Sequence, residues 1–150
     1  MKILVCSDSH GDTESLNKIV KLHPKEDMYL HLGDSQLPNY LTGMFITVKG
    51  NCDFFPYPER IDIPTKWGKI HMEHGDYYLA RTKKYIEEQE CFIYLFGHTH
   101  VRQSGYDGKT YVFNPGSLTE PRDRNEGSYL LIAIDDETGK LKYHFEDFVF

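Results

Sequence analysis

Long apolar runs are missing from this sequence. The longest, Cys91–Phe96 and Tyr129–Ile134, are six residues each, whereas a membrane-spanning helix needs about 20. The opening Met1-Lys2-Ile3-Leu4-Val5-Cys6 is also shorter than the apolar region of a signal peptide, roughly 7–15 residues. No membrane partner is therefore expected. Cysteine is scarce: three residues, at 6, 52 and 91, with no C-x-x-C pair. An odd, scattered set suits a reducing cytosol better than a disulfide framework, so a cytoplasmic location is expected. Basic charge is short as well. Against 23 Asp and Glu stand 17 Lys and Arg, giving a net charge of −6 and a pI near 5.7. That argues against broad nucleic-acid binding.

What is present is an ordinary globular composition, 39% hydrophobic over 150 residues, with no repeat, low-complexity tract or linker. One domain spanning 1–150 is expected, long enough to bury roughly two-thirds of its unfolded surface. Histidine is the unusual item: there are eight, four of them within four residues of another.

The pattern along the chain predicts an α/β fold. Lys2–Cys6 reads as a buried strand. Asp12 is a candidate helix N-cap, with Leu16, Ile19 and Val20 on one helical face and Pro24 beyond it. Strands at Met28–Leu32 and Met44–Val48 complete a βαβ unit and imply a parallel sheet. Further strands are expected at Arg60–Ile63, Lys69–Glu73 and Phe92–Phe96. A helix is expected over Ala80–Gln89, with an apolar stripe through Leu79, Tyr85 and Ile86. Val101–Tyr106 and Lys109–Phe113 flank an Asp107-Gly108 turn. Tyr129–Ile134 and Leu141–Phe148 form a second pair, the latter with alternating faces. A parallel half and an antiparallel half suggest two packed sheets with helices outside.

Five polar clusters each follow a short apolar run: Asp8-Ser9-His10, Gly33-Asp34, Gly50-Asn51-Cys52-Asp53, His74-Gly75-Asp76 and Gly97-His98-Thr99-His100. Loops after strand ends converge on one crevice in an open α/β sheet. Two carboxylates, four imidazoles and one amide exceed the needs of one tetrahedral ion. Shared over two ions with one bridging carboxylate, they leave positions open for water, and such a pair clamps in-line displacement at phosphorus. The lack of thiolate ligands disfavours a structural zinc site.

This ordered set, with Asn114-Pro115-Gly116-Ser117 added, resembles the calcineurin-like metallophosphoesterases and within them the small single-domain, YfcE-like phosphodiesterase branch. The resemblance runs from Met1 to about Arg122. It implies a four-layer α/β/β/α sandwich of two mixed sheets flanked by helices. It also implies that Asp8, His10 and His100 hold one divalent metal, that Asn51, His74 and His98 hold a second, and that Asp34 bridges them. The implied reaction is hydrolysis of a small phosphate ester, a diester before a monoester, by in-line attack of a hydroxide held between the ions. Manganese is the favoured metal; nickel, iron and zinc suit the same ligands.

Two positions depart from the wider family pattern. Cys52 stands where many members have a His that protonates the leaving oxygen, and a thiol, with an ordinary pKa near 8.5, is a poor acid for that task. Asn51 and Cys52 are nevertheless the candidate catalytic residues, and the change points to substrates with good leaving groups. Asp76 replaces a common His beside the ligand His74. Arg122 and Asn114 are candidate substrate contacts, and Ser35–Thr42, Phe54–Glu59 and Ser117–Asn125 candidate substrate loops. His31 reads as a core histidine, while His23, His71 and His144 receive no role. A homodimer is compatible with the resemblance. The alternative function is a catalytically silent protein-binding scaffold of the same fold, like the retromer small subunit; seven intact ligand positions favour the enzyme.

Overall fold

The computed structural model describes residues 1–149. The chain opens with β1 (Lys2–Cys6), α1 (Thr13–Leu22), β2 (Met28–His31), the single turn α2 (Asn39–Thr42) and β3 (Phe45–Thr47). β1, β2 and β3 pair in parallel, with Val5 opposite Leu30 and Leu30 opposite Ile46. Asp12 caps α1, its Oδ1 accepting from the Ser15 N–H at 2.9 Å, a contact typically worth about 1 kcal/mol.

The middle of the chain builds a second sheet from β4 (Arg60–Ile63), β5 (Ile70–Glu73), β6 (Ile93–Leu95), β7 (Arg102–Tyr106) and β8 (Tyr111–Pro115), with α3 (Lys83–Glu88) between β5 and β6. Its order is β4-β5-β6-β8-β7. β9 (Gly127–Ile134) and β10 (Leu141–Phe148) then return to the first sheet, antiparallel beside β1, for an order of β10-β9-β1-β2-β3. Both sheets are mixed.

Period-two alternation of side chains produces the layers. Ile3, Val5, Leu30 and Ile132 of the first sheet meet Ile70, Met72, Ile93, Leu95 and Phe113 of the second in one central core. Leu4, Cys6 and Tyr29 point the other way, onto Leu16 and Ile19 of α1. Tyr94 and Phe96 point away from the core onto Ile86, which α3 presents. Each fully buried aliphatic side chain contributes roughly 1.5–3 kcal/mol. The result is helix, sheet, sheet, helix.

Three local expectations are corrected. The helix expected over Ala80–Gln89 is broken at Thr82, whose extended backbone (ψ 147°) ends a short 3-10 turn, Tyr78–Arg81, and whose side chain caps α3. Leu79 is consequently exposed, and only Ile86 of the proposed stripe is buried. The strand expected from Lys109 begins at Tyr111, because the Asp107 carboxylate accepts the Lys109 and Thr110 N–H groups at 2.9 and 2.7 Å. On the edge strand β10, Tyr143 is half exposed although it lies on the expected inner face. Among the described residues no helix is long and apolar enough to cross a membrane.

Candidate metal centre

All seven sequence-selected ligands lie just beyond strand ends: Asp8 and His10 after β1, Asp34 after β2, Asn51 after β3, His74 after β5, and His98 and His100 after β6. Backbone bonds lash these loops together. The Asp8 N–H donates to Gly33 O and the His10 N–H to Asp34 O, both at 3.0 Å, and the Gly97 N–H donates to His74 O at 2.9 Å. Five ligands, Asp8, His10, Asp34, His98 and His100, have φ between 45° and 67°. Left-handed backbone in non-glycine residues costs roughly 1–3 kcal/mol each and marks functional loops. Two glycines permit the close packing beneath. A Cβ on Gly50 would stand 2.1 Å from Asp34 Oδ1, and one on Gly97 would stand 2.1 Å from Ser7 Oγ.

The ligand atoms fall into two neighbouring groups. In the first, His100 Nε2 lies 3.1 Å from Asp8 Oδ1 and 3.4 Å from His10 Nε2. In the second, His74 Nε2 lies 3.2 Å from Asp34 Oδ2 and 3.0 Å from Asn51 Oδ1, which is 3.2 Å from His98 Nδ1. Asp8 Oδ1, 3.9 Å from His74 Nε2, joins the groups.

Three imidazoles are aimed by their far nitrogens. Nδ1 of His74 faces Leu32 O at 2.7 Å, that of His100 faces Glu120 O at 2.6 Å, and that of His10 faces Gln36 Oε1 at 2.8 Å. Nδ1–H must donate in each case, which leaves Nε2 with a lone pair directed inward. Such outer partners are typical of metal-ligating histidines. Asp8 is oriented in the same sense. Its Oδ2 accepts from Ser7 Oγ–H and, at 3.1 Å, from the His98 N–H, while its buried Oδ1 accepts no hydrogen bond. A buried carboxylate oxygen facing the Nε2 atoms of neutral imidazoles fits a divalent cation.

Without a cation, protons are what can relieve the crowding. Burial alone lowers the His74 pKa, but the Asp34 and Asp8 carboxylates outweigh it and push it up to about 9. Asp8 carboxylate contact raises that of His100 as well. Burial favours the neutral form of Asp34, yet His74 and the Cys52 N–H hold its pKa down at about 2. Burial and the neighbouring His74 lower that of His98.

Other selected residues fare differently. Cys52 is exposed, and desolvation together with the Asp34 charge raises its thiol pKa, keeping it neutral. Its backbone N–H has a firmer role, donating to Asp34 Oδ1 at 2.8 Å. Asn114, expected to meet substrate, is corrected. It is fully buried, and its amide donates to Gly97 O and Thr99 Oγ1 and accepts from the Gly116 N–H, so it shapes the loop carrying His98 and His100. Arg122 is exposed, with its charge felt at His100 and its N–H on His100 O. Asp76 is exposed, and no ring contact ties it to His74. His31 is buried as expected, but it also ties two ligand loops, facing Ser9 Oγ at 2.8 Å and accepting from the Gly33 N–H at 3.1 Å. Asp53 closes the third polar cluster but receives no role from the sequence. It accepts the N–H groups of Asp34, Gln36 and Gly50 at 2.9, 2.8 and 2.7 Å, and its place two residues after Asn51 was the available signal.

Comparison with known proteins agrees with this chemistry. A family model described as the calcineurin-like phosphoesterase superfamily domain matches residues 1–137. The chain belongs to that superfamily. Among curated phosphoesterases, the probable metallophosphoesterase YsnB of Bacillus subtilis is 31% identical, over 96% of this chain and 90% of its own. The phosphodiesterase YfcE of Escherichia coli is 24% identical, over 90% and 89%. A solved Streptococcus pneumoniae structure, described as a predicted phosphoesterase, superposes with a TM-score of 0.80 at 31% identity, covering 97% of both chains. The fold is shared further afield, with a single mutant of Vps29 from Entamoeba histolytica at a TM-score of 0.73 and 22% identity, covering 99% of this chain and 100% of that one.

Proposed function

We propose that this metal-dependent phosphoesterase is binuclear and prefers phosphodiesters. The observation that carries the reading is the donor set around Asp8 Oδ1. Two carboxylates, inward Nε2 atoms and the Asn51 carbonyl crowd together with no protein donor for the buried oxygen. One divalent ion would be held by Asp8, His10 and His100, the other by Asn51, His74 and His98, with Asp34 between them. When bound, two such ions supply a hydroxide at neutral pH and neutralise charge on the phosphoryl oxygens. Imidazole and oxygen donors suit manganese first among the metals at hand, with nickel, iron or zinc as substitutes.

The chain's own residues set the rest. Ser7, the His98 N–H and the Cys52 N–H fix the carboxylates, and the Nδ1 acceptors fix the imidazoles, so the ligands need little reorganisation. Arg122, exposed and with its N–H on His100 O, would meet a phosphoryl oxygen bidentately. A neutral thiol at Cys52 gives little help to a departing oxygen, which favours diesters with good leaving groups. The name of YfcE is in line with that preference. A silent scaffold is the second reading, favoured only by the fold shared with Vps29, and the intact ligands stand against it. The free thiols Cys6 and Cys91 are buried, in keeping with a cytoplasmic protein.

The test is turnover. Protein stripped of metal and reloaded with manganese should hydrolyse bis(para-nitrophenyl) phosphate well and the monoester poorly, and Asp34→Asn should abolish both. Absence of turnover with every divalent metal would remove the enzymatic reading.

A further inference from the structure

A cavity of about 460 Å³ opens directly beside the second group of ligands, its wall beginning at Asn51 and His74 and continuing to Glu73, Glu59, Arg60 and Tyr85. Glu73 is the unusual member. It is more than nine-tenths buried, and a chain of side chains fixes it. His71 Nε2 meets Glu73 Oε2 at 2.6 Å while His71 Nδ1 meets Asp62 Oδ1 at 2.7 Å. Tyr85 donates to the same Oε2 at 2.9 Å and receives Arg60 Nη1 at 3.3 Å. Both bonds to Glu73 fall on Oε2. Among the described residues no donor reaches Oε1, in the wall of a water-accessible cavity.

An immobilised carboxylate oxygen that no protein donor reaches, on a residue that lines an open cavity, is a hydrogen-bond acceptor held ready for a ligand. The cavity's other charges narrow the ligand's chemistry. Asp53, Glu59, Glu73 and Asp76 outnumber Lys49 and Arg60, so a second phosphate entering here would be repelled. A bare hydrocarbon would leave Oε1 unsatisfied and would desolvate the other carboxylates. Only a hydrogen-bond donor answers both conditions.

We infer that this cavity receives one ester arm of the substrate and selects an arm bearing hydrogen-bond donors, a hydroxyl or an ammonium, through Glu73 Oε1. The inference rests on the phosphodiesterase reading, since it places the phosphoryl group at the neighbouring ligands. It separates small polar diesters from nucleic acid, whose arms carry further phosphates.

The experiment uses manganese-loaded protein and mixed diesters that share a para-nitrophenyl leaving group and differ in the other arm: ethyl, glyceryl or aminoethyl. Turnover of the ethyl compound tests the phosphodiesterase reading by itself. The inference predicts kcat/KM higher by about tenfold for the glyceryl or aminoethyl arm, the size of one hydrogen bond to a charged group. Which of the two leads separates hydroxyl from ammonium. In Glu73→Gln, the remaining carbonyl oxygen is claimed by His71 and Tyr85, turning an amide N–H toward the cavity, so the preference should vanish or reverse. Glu59→Gln, on the exposed rim, should reduce the aminoethyl preference without a change in melting temperature. Calorimetric titration with ethyl phosphate and glycerol phosphate gives a second readout that needs no turnover, with glycerol phosphate binding about tenfold tighter. Equal kcat/KM across the arms, equal binding of the two monoesters, or a preference that survives Glu73→Gln in folded protein would overturn it.

Discussion

Asp8 Oδ1 lies 3.1 Å from His100 Nε2 and accepts no hydrogen bond. The two atoms face one another because the far side of each side chain is fixed: Asp8 Oδ2 by Ser7 and the His98 N–H, His100 Nδ1 by Glu120 O. With no ion bound, the Asp8 charge is balanced by protons on His74 and His100, whose pKa values it raises; with an ion bound, the ion takes that place. Removing the charge should therefore weaken both the fold and metal binding. Asp8→Asn is expected to melt lower than wild type even when both are metal-free, and to retain fewer ions per chain after dialysis. A melting curve and elemental analysis check the two halves.

Metal loading should be linked to pH through His74. With no ion bound its pKa is about 9, raised from an ordinary 6.5 because the Asp34 and Asp8 carboxylates outweigh burial. The His74 proton thus stabilises the metal-free fold fully below the ordinary value, and that stability fades as pH rises through about 9. A metal ligand must give up this proton. The melting increment produced by manganese should grow from pH 6 to pH 9, and calorimetry in buffers of different ionisation enthalpy should find about one proton released per chain near neutrality.

Asp53 acts at one remove from the ligands. Asp53→Asn replaces an acceptor of three N–H groups by an amide that faces them with its own donors. Urea denaturation should show a loss of about 2–3 kcal/mol, and metal affinity should fall roughly 10–100-fold.

At Gly97, a methyl group would reach within 2.1 Å of Ser7 Oγ and 2.9 Å of Asp8 Oδ2. Gly97→Ala should destabilise the fold by about 1–3 kcal/mol and weaken metal binding by displacing Asp8. Addition of Ser7→Ala should recover part of the stability, which thermal melts can read.

The thiol of Cys52 is held neutral, chiefly by desolvation and then by the Asp34 charge, while its N–H orients Asp34. Cys52→Ala keeps the N–H, so aryl diester turnover should fall far less than the roughly 100-fold expected on losing a general acid. Cys52→His should raise turnover of alkyl diesters more than of aryl diesters. Steady-state rates on matched substrates test both.

That these seven side chains gather at strand ends was legible in the sequence because each follows an apolar run that ends a buried strand. β1, α1 and its Asp12 cap were legible for local reasons: alternation, helical spacing and a capping side chain. What tertiary packing decides was not. The roles of Asp53, His31 and Glu73 depend on loops and strands far apart in the chain, and a buried carboxylate looks like a solvated one in a sequence. Asn114 is a candidate substrate contact because it begins the loop after a strand, yet its amide is buried against the Gly97 carbonyl. The break at Thr82 was hidden because threonine is tolerated inside helices as well as at their caps.

The central claim is that two ions share this site across Asp34. The most direct measurement is manganese binding followed by electron paramagnetic resonance. Wild type should bind two manganese ions per chain with an exchange-coupled spectrum, and Asp34→Asn should retain at least one ion with the coupling gone. A single uncoupled ion in the wild type, or coupling that survives Asp34→Asn, would contradict the account.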